Sequence, residues 1–147
     1  MEKIQISKEQ EQNLLSLFKK RVSLGMVFII IGLIGIIPTI ITLFYEASTY
    51  YYSSGTFAFT ILGILFIGQN DAAAKGVKKG DYQAFKTECK KVGWEYASVN
   101  NNELLSKKVT KDIKKVAILG SPKALRAGDE IGILHAGKEF WAFNLSE

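Results

Sequence analysis

Apolar and polar positions divide the chain into two parts. The apolar part begins with residues 22–45, VSLGMVFIIIGLIGIIPTIITLFY, which contain no charged side chain. A helix of this length covers about 36 Å, more than the roughly 30 Å hydrocarbon core of a bilayer. A buried helix of a soluble protein would need a shell of protein on every side, which 147 residues cannot supply. The pattern therefore predicts a first membrane span.

Three basic residues, at positions 19–21, precede this span. A cleavable signal peptide has the same order, with basic residues followed by an apolar segment. Signal peptides, however, have apolar regions of about 7 to 15 residues that end at a small-residue cleavage site. The run here is longer and ends in LFYE. We therefore expect it to be retained.

Residues 49–69, TYYYSSGTFAFTILGILFIGQ, form a second apolar run. The run spans a bilayer if its tyrosines lie at the interface, a position that tyrosine favours; a re-entrant segment is the alternative. Small residues recur every seven positions in each run, a spacing that lets helices approach closely. The helix-packing face, within the hairpin or between protomers, is predicted to contain Gly25, Gly32, Thr39, Thr56 and Gly63.

Basic residues flank both apolar runs, whereas the segment that joins the runs has no Lys or Arg. The positive-inside rule then places both termini in the cytoplasm, as in a multi-pass protein of the bacterial cell membrane. The flanking residues are predicted to anchor the chain at the anionic lipid headgroups of the inner leaflet. These anchors are Lys19, Lys20, Arg21, Lys75, Lys78 and Lys79.

Residues 1–21 predict an N-terminal amphipathic helix on the cytoplasmic side. Ser7 and Gln10 have the spacing of a capping box, and apolar residues at 14, 17 and 18 follow at helical spacing. The helix would lie at the inner membrane surface or continue into the first span. A helix that binds a partner is the alternative.

After a predicted linker over residues 70–80, the pattern changes to short strands in 81–97, 103–109 and 112–120. The last segment, 127–147, predicts a hairpin that turns at Ala136-Gly137-Lys138. Aromatic residues are expected to fill much of the core: Trp94, Phe140, Trp141 and Phe143. Some of the aromatic residues are candidates for an exposed interaction surface instead: Trp94, Tyr96, Trp141 and Phe143.

Five or so short strands within residues 81–147 favour closure into a small barrel, because an open sheet would leave two long edges exposed. The predicted fold class is a membrane α-helical hairpin plus a small all-β cytoplasmic domain, an OB/SH3-like barrel. A membrane hairpin followed by such a barrel resembles the layout of NfeD-like membrane proteins. The resemblance covers roughly the C-terminal half and rests on the order of elements, so it assigns no functional residues.

Candidate catalytic chemistry is sparse. Cys89 and His135 are the only residues of their kinds, which excludes a disulfide framework and a multi-Cys/His zinc site within one chain. A nucleophile and its base would have to meet in space with an orienting third group, and the strand positions of these two residues favour structural roles. The chain also lacks P-loop, GxGxxG and HExxH motifs. We therefore expect no enzymatic activity, no cofactor and no metal.

Residues 71–147 contain fourteen Lys or Arg and ten Asp or Glu. The basic stretches 78–91 and 106–115 could bind the phosphates of single-stranded nucleic acid, but acidic residues interrupt both. A solvated face near the anionic leaflet is favoured, and nucleic acid is not the expected partner.

These observations favour a non-enzymatic membrane protein with an accessory, docking or regulatory role, whose barrel binds another membrane protein or a second copy. Protection against a membrane-active toxin or bacteriocin by the hairpin is one alternative. A membrane-tethered nucleic-acid-binding domain is another.

Overall fold

The computed structural model describes residues 2–44, 50–100 and 113–145. The chain divides into two compact units. The hairpin unit comprises residues 18–72, and the β-domain comprises residues 1–17 and 73–147. Each of two long helices contributes residues to both units.

The hairpin unit is formed by α1 (Lys8–Leu43) and α2 (Tyr50–Lys79). The helices contain 36 and 30 residues, so they are about 54 and 45 Å long. The helix α1 continues past Pro38. By length and composition, Lys8–Pro38 and Thr56–Lys79 are long and apolar enough to cross a membrane.

The first turn of α1 has the predicted capping box. The Ser7 N–H donates to Oε1 of Gln10 at 3.2 Å, and the Gln10 N–H donates to Oγ of Ser7 at 3.2 Å. Two otherwise unpaired donors at the helix start are thereby satisfied. The Gln10 side-chain amide also donates to the carbonyl of Leu145 at 2.9 Å, which ties the helix start to the end of the sheet within the β-domain.

The β-domain contains one seven-stranded sheet with the strand order β1-β2-β6-β7-β5-β4-β3. All neighbouring strands are antiparallel except β5 and β7, which are parallel. A short 3-10 helix, Pro122–Ala124, lies between β5 and β6. The strands are β1 (Glu2–Ile4), β2 (Tyr82–Glu88), β3 (Lys91–Val92), β4 (Tyr96–Asn100), β5 (Ile113–Ile118), β6 (Glu130–Ala136) and β7 (Glu139–Asn144).

The sheet buries residues on both of its faces. One face forms a core cluster of Cys89, Ala97, Val99, Val116, Ile118, Leu125, Ile131, Ile133 and Ala142. On the other face, α1 residues Leu14 and Leu17 line a cleft together with Leu119 and Phe143. Burial on both faces explains why β6 reads as a nearly continuous apolar run rather than as an alternating one.

Several predicted elements are present, with shifted boundaries. The hairpin around Ala136-Gly137-Lys138 is confirmed as β6 and β7. Residues 70–79, predicted to be a linker, instead continue α2, since NDAAAKGVKK is rich in good helix formers. The N-terminal strand β1 is a further element, which pairs with β2. The predicted strand 103–109 lies outside the described residues.

The predicted closed barrel is not observed as such. In the described strand pairings, β1 and β3 remain at the two edges of the sheet. The structure thus consists of two long apolar helices and a small, mostly antiparallel β-domain.

Candidate functional site

The most exposed aromatic side chain of the β-domain is at the turn between β3 and β4. Trp94 is 90% exposed and Tyr96 is 48% exposed. Every other described large apolar residue that is exposed lies between residues 24 and 65, in the helices or, for Phe44, directly after α1. Trp94 was a candidate both for the core and for an exposed surface, and the structure shows it exposed: the turn carries it beyond the last paired residues of β3 and β4.

Two lysines lie on the same face of the sheet as Tyr96. Ser98 on β4 pairs with Lys91 of β3 on one side and with Lys115 of β5 on the other. Directly paired residues, and residues two apart on a strand, share a face, so these side chains and Tyr96 lie together. Together with Trp94 in the adjoining turn they form what we call the aromatic-lysine surface: Lys91, Trp94, Tyr96, Ser98 and Lys115.

Backbone hydrogen bonds hold the turn that carries Trp94. The Gly93 N–H donates to the Tyr96 carbonyl at 2.7 Å, and the Ile118 N–H donates to the Glu95 carbonyl at 2.9 Å. The turn is therefore bonded within itself and to the end of β5.

Charge on the aromatic-lysine surface comes from its lysines. The neighbouring Lys90 is paired with Glu88 at 2.9 Å. Among the described residues, neither Lys91 nor Lys115 forms an ion pair. Both lysines are exposed, so their ammonium groups are available to an anionic ligand.

Trp141 and Phe143 do not belong to this surface. Trp141 is 4% exposed and Phe143 is 3% exposed. Phe143 pairs with Gly132 across β6 and β7, and a Cβ added to Gly132 would collide with the Phe143 ring. The ring thus covers the glycine, which is a recognised way to fill the space above glycine in a sheet. The two residues are corrected from a candidate interaction surface to packing residues.

Small residues bring α1 and α2 together within the hairpin. A Cβ added to Gly63 would lie 2.8 Å from the Gly25 carbonyl oxygen and 2.7 Å from Cγ1 of Ile29. A Cβ on Gly32 would lie 2.9 Å from the Thr56 carbonyl oxygen. The structure therefore juxtaposes four of the five predicted small residues; the side chain of Thr39 lies outside the described part of the structure.

Sequence spacing alone missed one glycine and one threonine of this contact, and a buried asparagine further along α2. Gly35 faces Thr56, and the hydroxyl of Thr60 faces Gly32. Asn70, seven positions after Gly63, is fully buried, and its side-chain amide donates to the Phe66 carbonyl at 2.6 Å. The repeat of seven from Thr56 through Gly63 could have located Asn70.

The six predicted basic anchors lie on the two helices. Lys19, Lys20, Lys75, Lys78 and Lys79 are exposed. Arg21 is half-buried, with its guanidinium 5.5 Å from the centre of the Phe66 ring, a cation–π distance within the hairpin unit. Lys78 and Lys79 occupy the last turn of α2, where positive charge is favoured by the helix dipole.

Cys89 and His135 have structural surroundings. Cys89 is a member of the buried core cluster, and burial raises the pKa of its thiol. His135 stacks on its cross-strand partner Phe140, with ring centres 4.3 Å apart. Over residues 2–44, 50–100 and 113–145, no group of three or more His, Cys, Asp or Glu could hold a metal ion.

No protein-family model, curated protein or solved structure matches the chain.

Proposed function

We propose that the chain is a non-enzymatic integral membrane protein whose helical hairpin spans the bacterial cell membrane twice. The observation that carries this proposal is the apolar surface of the hairpin, where side chains such as Ile34 and Leu65 are more than half exposed. Monomeric proteins in water rarely expose so large a contiguous apolar surface, whereas in a membrane lipid tails would cover it. No Asp, Glu, Lys, Arg or His lies within 22–45 or 49–69, so we assign the spans an anchoring role rather than a transport role.

The β-domain is proposed to lie in the cytoplasm, together with both termini. Exposed lysines precede the first apolar segment at residues 19–20 and follow the second at residues 75–79, and residues 46–55 contain no Lys or Arg. The positive-inside rule assigns the basic side of each helix to the cytoplasm.

We further propose that the β-domain is an OB-type barrel. Only Cys89 and Lys90 separate β2 from β3, and the backbone of these two residues bonds to both neighbours: the Cys89 N–H donates to Asp129 and the Lys90 N–H to Ser98, at 2.9 and 2.8 Å. If β2 and β3 count as one bent strand, that strand pairs with β6 and β4, and β5 lies parallel to β7. This is the connectivity of the partly open OB barrel, and it supports the NfeD-like layout.

OB-type domains act mainly as binding modules, and a fold of this type does not by itself name a ligand. We propose an accessory role, in which the β-domain docks onto another membrane protein and the hairpin keeps it at the bilayer. A membrane anchor raises the local concentration of such a module to the millimolar range, so even a weak contact becomes effective.

Affinity purification of the full chain from its native membrane in mild detergent tests the docking role. A shortened chain that ends at Lys79 retains both helices and lacks most of the sheet, and it serves as the comparison. A partner that binds the full chain and is lost from the shortened chain supports docking by the β-domain. A partner retained by both chains, or none with either, contradicts it.

A second candidate function is that of a membrane-tethered domain for single-stranded nucleic acid. The aromatic-lysine surface favours it, since aromatic rings that stack on bases and lysines that contact phosphates are typical of such sites. Binding to oligonucleotides that falls steeply with salt concentration would support this function.

A further inference from the structure

The aromatic-lysine surface requires an explanation beyond folding. A tryptophan that is 90% exposed contributes little to the core of its own domain, and Tyr96 beside it is about half exposed. The opposite faces of the same strands bury Ala97, Val99 and Val116 almost completely. These strands therefore bury one face in the core and present the other face, with its aromatic residues, as surface.

The surface is also held in a fixed shape. Hydrogen bonds of Gly93 with Tyr96 and of Ile118 with Glu95 fix the turn on both sides. A side chain that is already positioned loses less conformational freedom on binding than a flexible one. The backbone that carries Trp94 is thus already ordered before a ligand binds.

The charges on this surface narrow the class of ligand. Lys91 and Lys115 lie on either side of Ser98, two strand spacings or about 10 Å apart. Glu95, which lies between Trp94 and Tyr96 in sequence, is exposed and negatively charged. The positive charge of the surface is therefore confined to its two lysines. Two exposed lysines and two aromatic rings are a small set of contacts for a ligand that must be captured from solution.

We infer that the aromatic-lysine surface docks the β-domain onto an anionic lipid bilayer, with Trp94 and Tyr96 at the interface and Lys91 and Lys115 at the headgroups. Tryptophan and tyrosine are the residues that favour the membrane interface, and anionic headgroups attract lysine. The inference rests on the proposed membrane anchoring, because α1 and α2 tie the domain covalently to the bilayer that the hairpin occupies. A tethered surface needs only weak contacts, which is what two lysines and two rings provide.

Tryptophan fluorescence of the full chain in vesicles tests this inference. The chain is reconstituted into phosphatidylcholine vesicles with or without about one third phosphatidylglycerol. Since Trp94 and Trp141 are the two tryptophans, the difference between the wild type and Trp94→Phe isolates the emission of Trp94. Quenching by lipids brominated near the headgroup then reports whether Trp94 lies at the interface.

The expected result is a blue shift and quenching of the Trp94 emission in the anionic vesicles. Each lysine near an anionic surface changes a binding equilibrium about fivefold, so Lys91→Gln with Lys115→Gln should lower the ratio of docked to undocked domain about thirtyfold. The matched control is Lys123→Gln with Lys138→Gln, two exposed lysines outside this surface, which should leave the quenching unchanged.

Flotation of the same vesicles after alkaline washing reports hairpin insertion separately from docking. A chain that stays inserted while Trp94 remains unquenched overturns the docking inference and leaves the membrane anchor intact. A chain that is washed off overturns the proposed anchor and the inference with it. The Trp94 emission could also stay unchanged in anionic vesicles and be quenched by an oligothymidylate. That result would assign the surface to nucleic acid and would also overturn the inference.

Discussion

Gly25 and Gly63 face each other across the two helices of the hairpin, each in contact range of the other's backbone. A Cβ on Gly25 would lie 3.2 Å from the Gly63 carbonyl oxygen, and a Cβ on Gly63 would lie 2.8 Å from the Gly25 carbonyl oxygen. Side chains larger than glycine would separate the helices here, so the close approach depends on both residues.

Glycine substitutions in the hairpin should therefore have effects that depend on position. Gly63→Leu or Gly32→Leu should destabilise the hairpin by about 1 to 3 kcal/mol, because the new side chain overlaps the facing helix. Thermal unfolding of the purified chain in detergent measures this.

Gly68→Leu is the matched control, since nothing lies within 4 Å of a Cβ added to Gly68. This substitution should leave the midpoint temperature of thermal unfolding unchanged or raise it, because leucine is a better helix former than glycine. Equal loss of stability at Gly32, Gly63 and Gly68 would contradict the proposed contact.

The side chain of Gln10 should stabilise the joint between α1 and the sheet within the β-domain. Gln10→Ala removes the capping box partner of Ser7 and the hydrogen bond to the Leu145 carbonyl. We expect a loss of about 1 to 2 kcal/mol in the free energy of unfolding, followed by circular dichroism. Gln12→Ala, an exposed glutamine in the same turn, should have little effect; a similar loss there would point to helix propensity instead.

The two tryptophans should respond oppositely to removal. Trp94→Ala should leave the melting temperature of the chain nearly unchanged, because the side chain is exposed. Trp141→Ala should cost about 3 to 5 kcal/mol, the usual cost of emptying the space of a large buried aromatic residue. Phe143→Ala provides a second buried case, since its ring covers Gly132. A large loss of stability from Trp94→Ala would reverse the assignment of these residues to surface and core.

The thiol of Cys89 should be nearly unreactive in the folded chain. Burial raises its pKa, and the thiolate is the reactive form, so less of it is present at neutral pH than in an exposed cysteine. The rate of alkylation by iodoacetamide should therefore continue to increase at pH values where a denatured sample has levelled off. Equal rates for the folded and denatured chains across the pH range would show that the thiol is exposed.

Local patterns predicted the elements whose signals are complete within a few residues. The capping box at Ser7 and Gln10, the turn at Gly137 and the small-residue repeat through Gly25 and Gly63 each depend on near neighbours in sequence. The packing of Trp94 and Trp141 could not be assigned in this way, because both are tryptophans in strand-like segments. Whether either side chain is covered depends on where a turn ends and on which helix lies over the sheet.

The remaining features depend on pairing between residues that are far apart in the sequence, so local patterns could not predict them. The strand β1 forms only because Glu2–Ile4 lies beside β2, some eighty positions away, and no local signal marks it. Likewise, Lys91 and Lys115 become neighbours of Ser98 only through the register of β3, β4 and β5. The polar composition of residues 70–79 predicts a linker, whereas their helix propensity allows them to continue α2.

The central claim, a membrane hairpin with the β-domain in the cytoplasm, is tested most directly by labelling cysteines in intact cells with a membrane-impermeant maleimide. Single cysteines are introduced at Ser48 between the apolar runs and at Lys138 in the β6–β7 turn, in a chain carrying Cys89→Ala. The account predicts that Ser48→Cys is labelled in intact cells and that Lys138→Cys is labelled only after the membrane is opened. Labelling of Lys138→Cys in intact cells, or equal protection of both positions, would contradict it.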